Sequence, residues 1–155
     1  MKKIYIAGFD VFYPDAVNIG NKLKGICRKY GFTGLFPSDN ECGSADDIFS
    51  ANIGMIQSCD IVAANMNSFR GVEPDSGTAF ELGYAYSLGK RLYCYLSDTR
   101  TLRDKIGEKD DKGLSVEDFG FPLNLMISVP AVIVNGNFED CLIRIRHDED
   151  NKTQE

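Results

Sequence analysis

The residues best equipped for chemistry lie in one string, Arg70-Gly71-Val72-Glu73-Pro74-Asp75-Ser76-Gly77-Thr78-Ala79-Phe80-Glu81-Leu82-Gly83-Tyr84-Ala85, where an acidic turn-forming loop runs into a helix-forming segment. Glu81 falls in the first turns of that helix, beside amides whose dipole favours a negative charge. With an ordinary pKa of about 4.3 it is ionised at neutral pH and needs no base to act as a nucleophile. Asp75, ahead of the helix, is a second carboxylate within reach of the same pocket. Two carboxylates across a glycosidic bond can divide the labour, one attacking the anomeric carbon and the other managing the proton of the leaving group. The same spacing admits a structural reading. Thr78-x-x-Glu81 matches a capping box, with Asp75 shaping a Pro-Asp turn. Spacing alone does not choose between them.

Little else in the composition competes as acid-base machinery. The single histidine, His147, sits in a polar end, His147-Asp148-Glu149-Asp150, and reads as a solvated helix terminus. The cysteines, Cys27, Cys42, Cys59, Cys94 and Cys141, are odd in number and lack a C-x-x-C pair, so reduced thiols in a cytoplasmic setting are expected. Neither they nor the histidine have metal-ligand spacing, and no metal or cofactor is expected. Seventeen Lys+Arg against 23 Asp+Glu give a net charge of -6, which disfavours nucleic acid and anionic membrane partners. The start of the chain meets Gly8 and Asp10 before an apolar run of leader length, and no stretch is long enough to span a bilayer.

The elements that must position these carboxylates alternate strand and helix. Ile4 to Ala7 reads as a buried strand, Asp15 to Tyr30 as a helix closed by Gly31, and Gly34 to Phe36 as the next strand. Ala45 to Ser58 follows as a helix with Ile48, Asn52, Met55, Ile56 and Cys59 on one face, then Ile61 to Ala64 as a strand. Gly77 to Leu88 predicts a helix ending at Gly89, with strands at Arg91 to Leu96 and Ala131 to Val134. The expected fold is α/β, a flavodoxin-like doubly wound parallel sheet of five strands in the order 2-1-3-4-5 with helices on both faces. Its ligand crevice lies beyond the strands' C-terminal ends. A single domain over 1–147 and a polar tail over 148–155 are expected. Ser97 to Gly120, long and charged, reads as a mobile lid or a partly disordered connection.

Six strings occur in the order found in the nucleoside 2-deoxyribosyltransferase family, which the chain resembles over most of its length. They are Lys3-Ile4-Tyr5-Ile6-Ala7-Gly8 with Val11-Phe12; Pro37-Ser38-Asp39-Asn40-Glu41; Asn52-Ile53-x-x-Ile56-x-x-Cys59-Asp60-Ile61-Val62-Ala63; Phe69-Arg70-Gly71; Glu73 through Ala85; and Pro122-Leu123-Asn124-Leu125-Met126. The likeness is strongest to a branch that includes kinetoplastid enzymes. The resemblance implies transfer of a 2-deoxyribosyl group between nucleobases by double displacement through a covalent deoxyribosyl-glutamate, with water as the alternative acceptor in a nucleosidase. It implies Glu81 as nucleophile, Asp75 as the base's proton handler and Tyr5 as the residue that positions the nucleophile. It further implies substrate contacts from Phe12, Asp39, Asn40, Glu41, Asn52, Gly77, Asn124 and Met126. Asn124 matches an asparagine that reaches into a neighbouring subunit's site, so a homo-oligomer, a dimer or larger, is implied. The partners are a deoxynucleoside and a free nucleobase, in a salvage or catabolic role.

The chain departs from the family pattern at two places. Relatives often read Ala-Gly-Pro after the first strand where this chain has Ala7-Gly8-Phe9, so Phe9 and Phe12 either stack on a nucleobase or pack as core or lid. Some carry an aspartate at Asn52, which here either binds by hydrogen bonding or is a buried, satisfied amide. Arg70 reads as an anion or loop anchor, or as a surface ion pair. The aromatic and acidic loop Phe9-Asp10-Val11-Phe12-Tyr13 disfavours a 5′-phosphate, which points to nucleosides over nucleotides. A non-enzymatic flavodoxin-like module is the other class: a receiver would need an aspartate ending strand three, whereas Asp60 precedes it. A dinucleotide site would need G-x-G-x-x-G, which Gly8-Phe9-Asp10 does not continue.

Overall fold

Alternation along each strand decides how the layers form. A computed structural model describes residues 1–39 and 43–152 of the chain. In β1 (Lys3–Ala7), Ile4 and Ile6 face one core and Tyr5 and Ala7 the other, and β3 (Ile61–Asn65) and β4 (Arg91–Leu96) divide their side chains the same way. Because successive strand side chains point to opposite faces, buried strands of this kind need helices on both sides. With β2 (Thr33–Leu35) and β5 (Val132–Asn135) they make a five-stranded parallel sheet in the order β2-β1-β3-β4-β5, as expected.

One face is covered by α1 (Ala16–Lys29) and α6 (Phe138–Lys152), whose Cys27, Phe138, Leu142 and Ile145 pack on Ile4, Ile6, Tyr93 and Tyr95. The other is covered by α2 (Ala45–Ser58), α3 (Ser76–Ser87) and the short α5 (Leu125–Ser128), whose residues join Tyr5, Val62 and Leu92 in a second core. Both α1 and α3 stop at a glycine in the left-handed region, Gly31 (φ 81°) and Gly89 (φ 70°). After each, the next amide bonds back to the last turn, Phe32 to the Cys27 carbonyl (2.9 Å) and Lys90 to the Ala85 carbonyl (3.0 Å), which ends the helix and turns the chain into the following strand.

Two expectations change. Residues 148–152, read as the start of a polar tail, continue α6, because Glu149 is only 7% exposed and pairs with Lys2 and Arg91 at the sheet edge. The connection from Ser97 to Gly120 holds α4 (Leu102–Ile106) and an antiparallel bridge between Lys109 and Ser115. Buried Leu102 anchors it, and Lys105 donates to the Pro122 carbonyl (2.9 Å). No helix among the described residues is long and apolar enough to cross a membrane.

Close packing of α1 on the chain after β2 is testable at Gly20, where an added Cβ would lie 2.5 Å from the Phe36 ring. Helix propensity alone would make Gly20→Ala stabilising by about 1 kcal/mol. The contact with buried Phe36 instead predicts a loss of about 1–3 kcal/mol in urea unfolding, and a gain in stability would show that α1 does not seat as described.

Candidate active site

In a sheet of this order the connections after β1 and β3 leave toward opposite faces, which is where folds of this kind bind ligands, above the strands' C-terminal ends. The candidate site is built there. Tyr5, fully buried in the middle of β1, points toward the layer containing α2 and α3. Its hydroxyl donates to Glu81 Oε1 on α3 at 2.9 Å. Glu81 Oε2 receives no hydrogen bond from any described residue.

Asp75 caps α3. Its Oδ2 accepts from the Thr78 amide (2.9 Å) and the Thr78 hydroxyl (2.8 Å). This overturns the reading of Thr78 as the cap with Glu81 closing its box. The cap lies three residues earlier, so Glu81 sits in the second turn, past the free amides, with its carboxylate on Tyr5.

Its charge state is corrected as well. Burial raises the Glu81 pKa to about 7, opposed by the Tyr5 hydrogen bond and reinforced by the negative charge of Asp75. The expected ordinary carboxylate assumed helix amides that are one turn away. Burial, with the adjacent Glu81 charge, likewise pushes the Tyr5 phenol far up, so Tyr5 remains a proton donor to Glu81 at any ordinary pH.

Asn52 lies one turn before Met55 and Ile56 on the inner face of α2, and its Oδ1 is a buried acceptor without a partner among the described residues. Among the described residues it is not the satisfied amide that one reading of the sequence expected, since a buried carbonyl normally finds a donor. Gly77 is in the first turn of α3, where a Cβ would press to 3.2 Å from Asp75 Oδ2, so a glycine keeps Asp75 approachable. Phe12 stays out of both cores, 56% exposed and stacked on Phe69 with centroids 5.4 Å apart. Asp39 is engaged locally, accepting from the Phe36 amide (2.8 Å) and pairing with Lys24, which ends β2. Asn40 and Glu41 lie outside the described residues.

The chain does not bring Asn124 and Met126 to Glu81. Asn124 caps α5, accepting from the Met126 amide (2.9 Å) while donating to Glu117 Oε1 (2.7 Å). With Met126 it lines an apolar groove of about 840 Å³ against Ala79, Leu82, Gly83 and Tyr86 of α3. Those residues recur at helical spacing on the flank of α3 turned away from Glu81.

Sequence reasoning passed over a polar clasp across the strand ends. Asn65 donates to Asp10 (2.9 Å), Asn67 donates to Asn65 Oδ1 (2.8 Å), and Ser97 donates to Asn67 Oδ1 through both its amide and its hydroxyl (each 3.0 Å). Polar residues directly after a fully buried strand were the available signal. Gly8 makes room for it, since a Cβ there would lie 2.6 Å from that of Asn65. Among the described residues no group of His, Cys, Asp and Glu gathers to hold a metal ion.

Comparison with known proteins bears on this geometry. Residues 4–126 match the family described as Nucleoside 2-deoxyribosyltransferase. A solved structure of a 2-desoxiribosyltransferase from Leishmania mexicana is 40% identical, with a TM-score of 0.87 over 95% of this chain and 98% of that one. A 2-deoxyribosyltransferase from Bacillus psychrosaccharolyticus (23% identical, TM-score 0.57, covering 89% of this chain and 88% of that one) shares the fold. So does a Clostridium botulinum CMP N-glycosidase (16%, TM-score 0.55, 95% and 99%). An uncharacterized protein of Schizosaccharomyces pombe is 31% identical over 113 residues, 66% of this chain, and the chain spans about half of that relative's length, 54%.

The Tyr5–Glu81 pair predicts a coupling readable without substrate. The Tyr5 hydrogen bond favours the charged form of Glu81, so Tyr5→Phe should move the Glu81 carboxyl titration, followed by carbon NMR, above pH 7. An unchanged or lowered midpoint would mean that the pair does not form.

Proposed function

The chain belongs to the nucleoside 2-deoxyribosyltransferase family, and on that premise we propose that it transfers a 2-deoxyribosyl group between nucleobases through a covalent ester on Glu81. The observation that carries this reading is the buried Tyr5–Glu81 hydrogen-bonded pair. A nucleophilic carboxylate needs one free oxygen, a fixed orientation and little water around it. Glu81 has Oε2 free, Oε1 held by Tyr5, and a pKa raised by desolvation.

In the proposed reaction Glu81 Oε2 attacks C1′ as the bond to the base nitrogen breaks, and the base leaves with that electron pair and takes up a proton from solvent relayed by the Asp75 carboxylate. The transition state has oxocarbenium character, which a missing 2′-hydroxyl favours, since an electron-withdrawing group beside C1′ would destabilise it. The incoming base then attacks C1′ as the ester bond to Glu81 breaks, and its proton returns to solvent through the Asp75 carboxylate. Water in place of the base gives the hydrolytic alternative. Asn52 Oδ1, buried and without a partner among the described residues, supplies an acceptor for a substrate donor, and Phe12 an open ring face. Asn124, capping α5 beside an apolar groove, is proposed to complete the site of a second copy of the chain.

Incubation with 2′-deoxyinosine or thymidine, with and without a second base, separates the outcomes. New deoxynucleoside only in the presence of acceptor supports transfer, free deoxyribose regardless of acceptor supports hydrolysis, and no consumption of either nucleoside would remove both. Because attack needs ionised Glu81, kcat/KM should rise about tenfold per pH unit below pH 7 and level off above it. Glu81→Gln should abolish turnover yet stabilise the fold above pH 7. Between the unfolded pKa near 4.5 and the folded value near 7 the native state holds the extra proton, so stability falls as pH rises through that window. A neutral amide avoids that loss, and a gain of about 1–3 kcal/mol at pH 8 is expected in urea unfolding.

A further inference from the structure

The connections after β1 and β3 join Phe12 to three side chains, Phe9, Phe69 and Arg70, that the chemistry above leaves without a task. Phe69 stacks with Phe9 (centroids 5.1 Å, planes within 7°) and with Phe12 (5.4 Å, 11°). Arg70 lies over Phe69 at 4.5 Å and over Phe12 at 5.2 Å. It is the one described non-glycine residue with positive φ, 50°, an uncommon conformation outside glycine. A turn holds it there, closed by the Phe69 amide on the Glu73 carbonyl (2.9 Å) and the Ser68 hydroxyl on the Val72 carbonyl (3.0 Å). Among the described residues Arg70 has no carboxylate partner and donates no hydrogen bond, so the surface ion pair that one reading of the sequence allowed does not form. A guanidinium poised over ring faces keeps its fork of donors for something lying alongside it on the same aromatic surface.

The surroundings select that ligand. Asp10, Glu73 and Asp75 lie in the same two connections and disfavour an anion, while the half-exposed face of Phe12 suits a flat neutral ring. Arginine only donates, so the edge it meets must accept. The oxo oxygen of hypoxanthine, guanine, uracil or thymine does. At the position of that oxygen, adenine and cytosine carry an amino group, which sets donor against donor there. As the glycosidic bond breaks, the electron pair kept by an oxo base spreads onto that oxygen, where a guanidinium stabilises it.

Resting on the deoxyribosyl reading above, we propose that Arg70, held on the Phe9–Phe69–Phe12 stack, is a specificity residue that selects oxo nucleobases over amino nucleobases. Isothermal titration of the full chain with free hypoxanthine and free adenine tests it, in wild type, Arg70→Met and Arg70→Lys, beside kcat/KM for 2′-deoxyinosine, 2′-deoxyadenosine and 2′-deoxyinosine 5′-monophosphate. A charge-assisted hydrogen bond predicts tighter binding of hypoxanthine by about tenfold or more. Arg70→Met should erase that preference with adenine affinity held to within about twofold, and Arg70→Lys should keep part of it. The proposal falls if wild type binds adenine as well as hypoxanthine or binds neither. It also falls if Arg70→Met weakens both bases equally, which would make Arg70 a packing residue, or if what the variant loses is a preference for the 5′-monophosphate. Because binding is read without turnover, selective capture of hypoxanthine with no transfer or hydrolysis would sink the deoxyribosyl reading and sustain this one.

Discussion

A carboxylate taken out of water, with a single neutral donor as its partner, is the arrangement on which the site depends. Glu81 is held by the Tyr5 hydroxyl at 2.9 Å, and burial lifts its pKa to about 7 even though the hydrogen bond pulls the other way. A cationic partner would have stabilised the charge far more and left a poor nucleophile. A phenol whose own proton is firmly held orients the oxygen and compensates the burial only in part. Such a group lowers the stability of the fold at neutral pH, which a protein tolerates where function needs it.

Holding that pair requires two independent elements to arrive together. Tyr5 is placed by the ladder of β1 against β2 and β3, opposite Leu35 and Val62, and so cannot shift along the strand without breaking register. Glu81 is placed by where α3 begins, and Asp75 decides that by capping the helix through Thr78. Asp75 thus sets the phase of the helix that carries Glu81 and contributes a charge that raises its pKa. Across the strand ends, the chain of Asp10, Asn65, Asn67 and Ser97 ties the connections after β1, β3 and β4 into one rim. Phe9 and Phe69 of the aromatic stack lie in two of the connections so tied.

The opposite flank of α3 has a different character. Ala79, Leu82, Gly83 and Tyr86 face α5 across an apolar groove, Tyr86 is 63% exposed and Met126 76%. Apolar surface of that extent on a helix is commonly an association surface. Its place beside Asn124 accords with the proposal that a second copy brings that residue to its neighbour's site.

Much of this was legible in the residues themselves. Period-two strands alternating with period-3.6 helices and closed by glycines at Gly31 and Gly89 specify a doubly wound sheet, because buried parallel strands and right-handed crossovers leave few other solutions. The strings around Tyr5, Asp75 and Glu81 marked the candidate site and, through resemblance, the family. Three matters waited on tertiary structure. Thr78-x-x-Glu81 reads equally as a cap, and only the position of Asp75 at the start of α3 releases Glu81 to Tyr5, 76 residues away along the chain. The protonation of Glu81 depends on how much water its neighbours exclude, which no local pattern encodes. The pairing of Phe9 and Phe12 with Phe69 and Arg70 joins two connections whose meeting is set by strand order. Local spacing determined which residues could act and which elements would carry them. Through-space burial and the β1–β3 adjacency decided which of them meet, because desolvation and contact are properties of the packed fold and not of any stretch of chain.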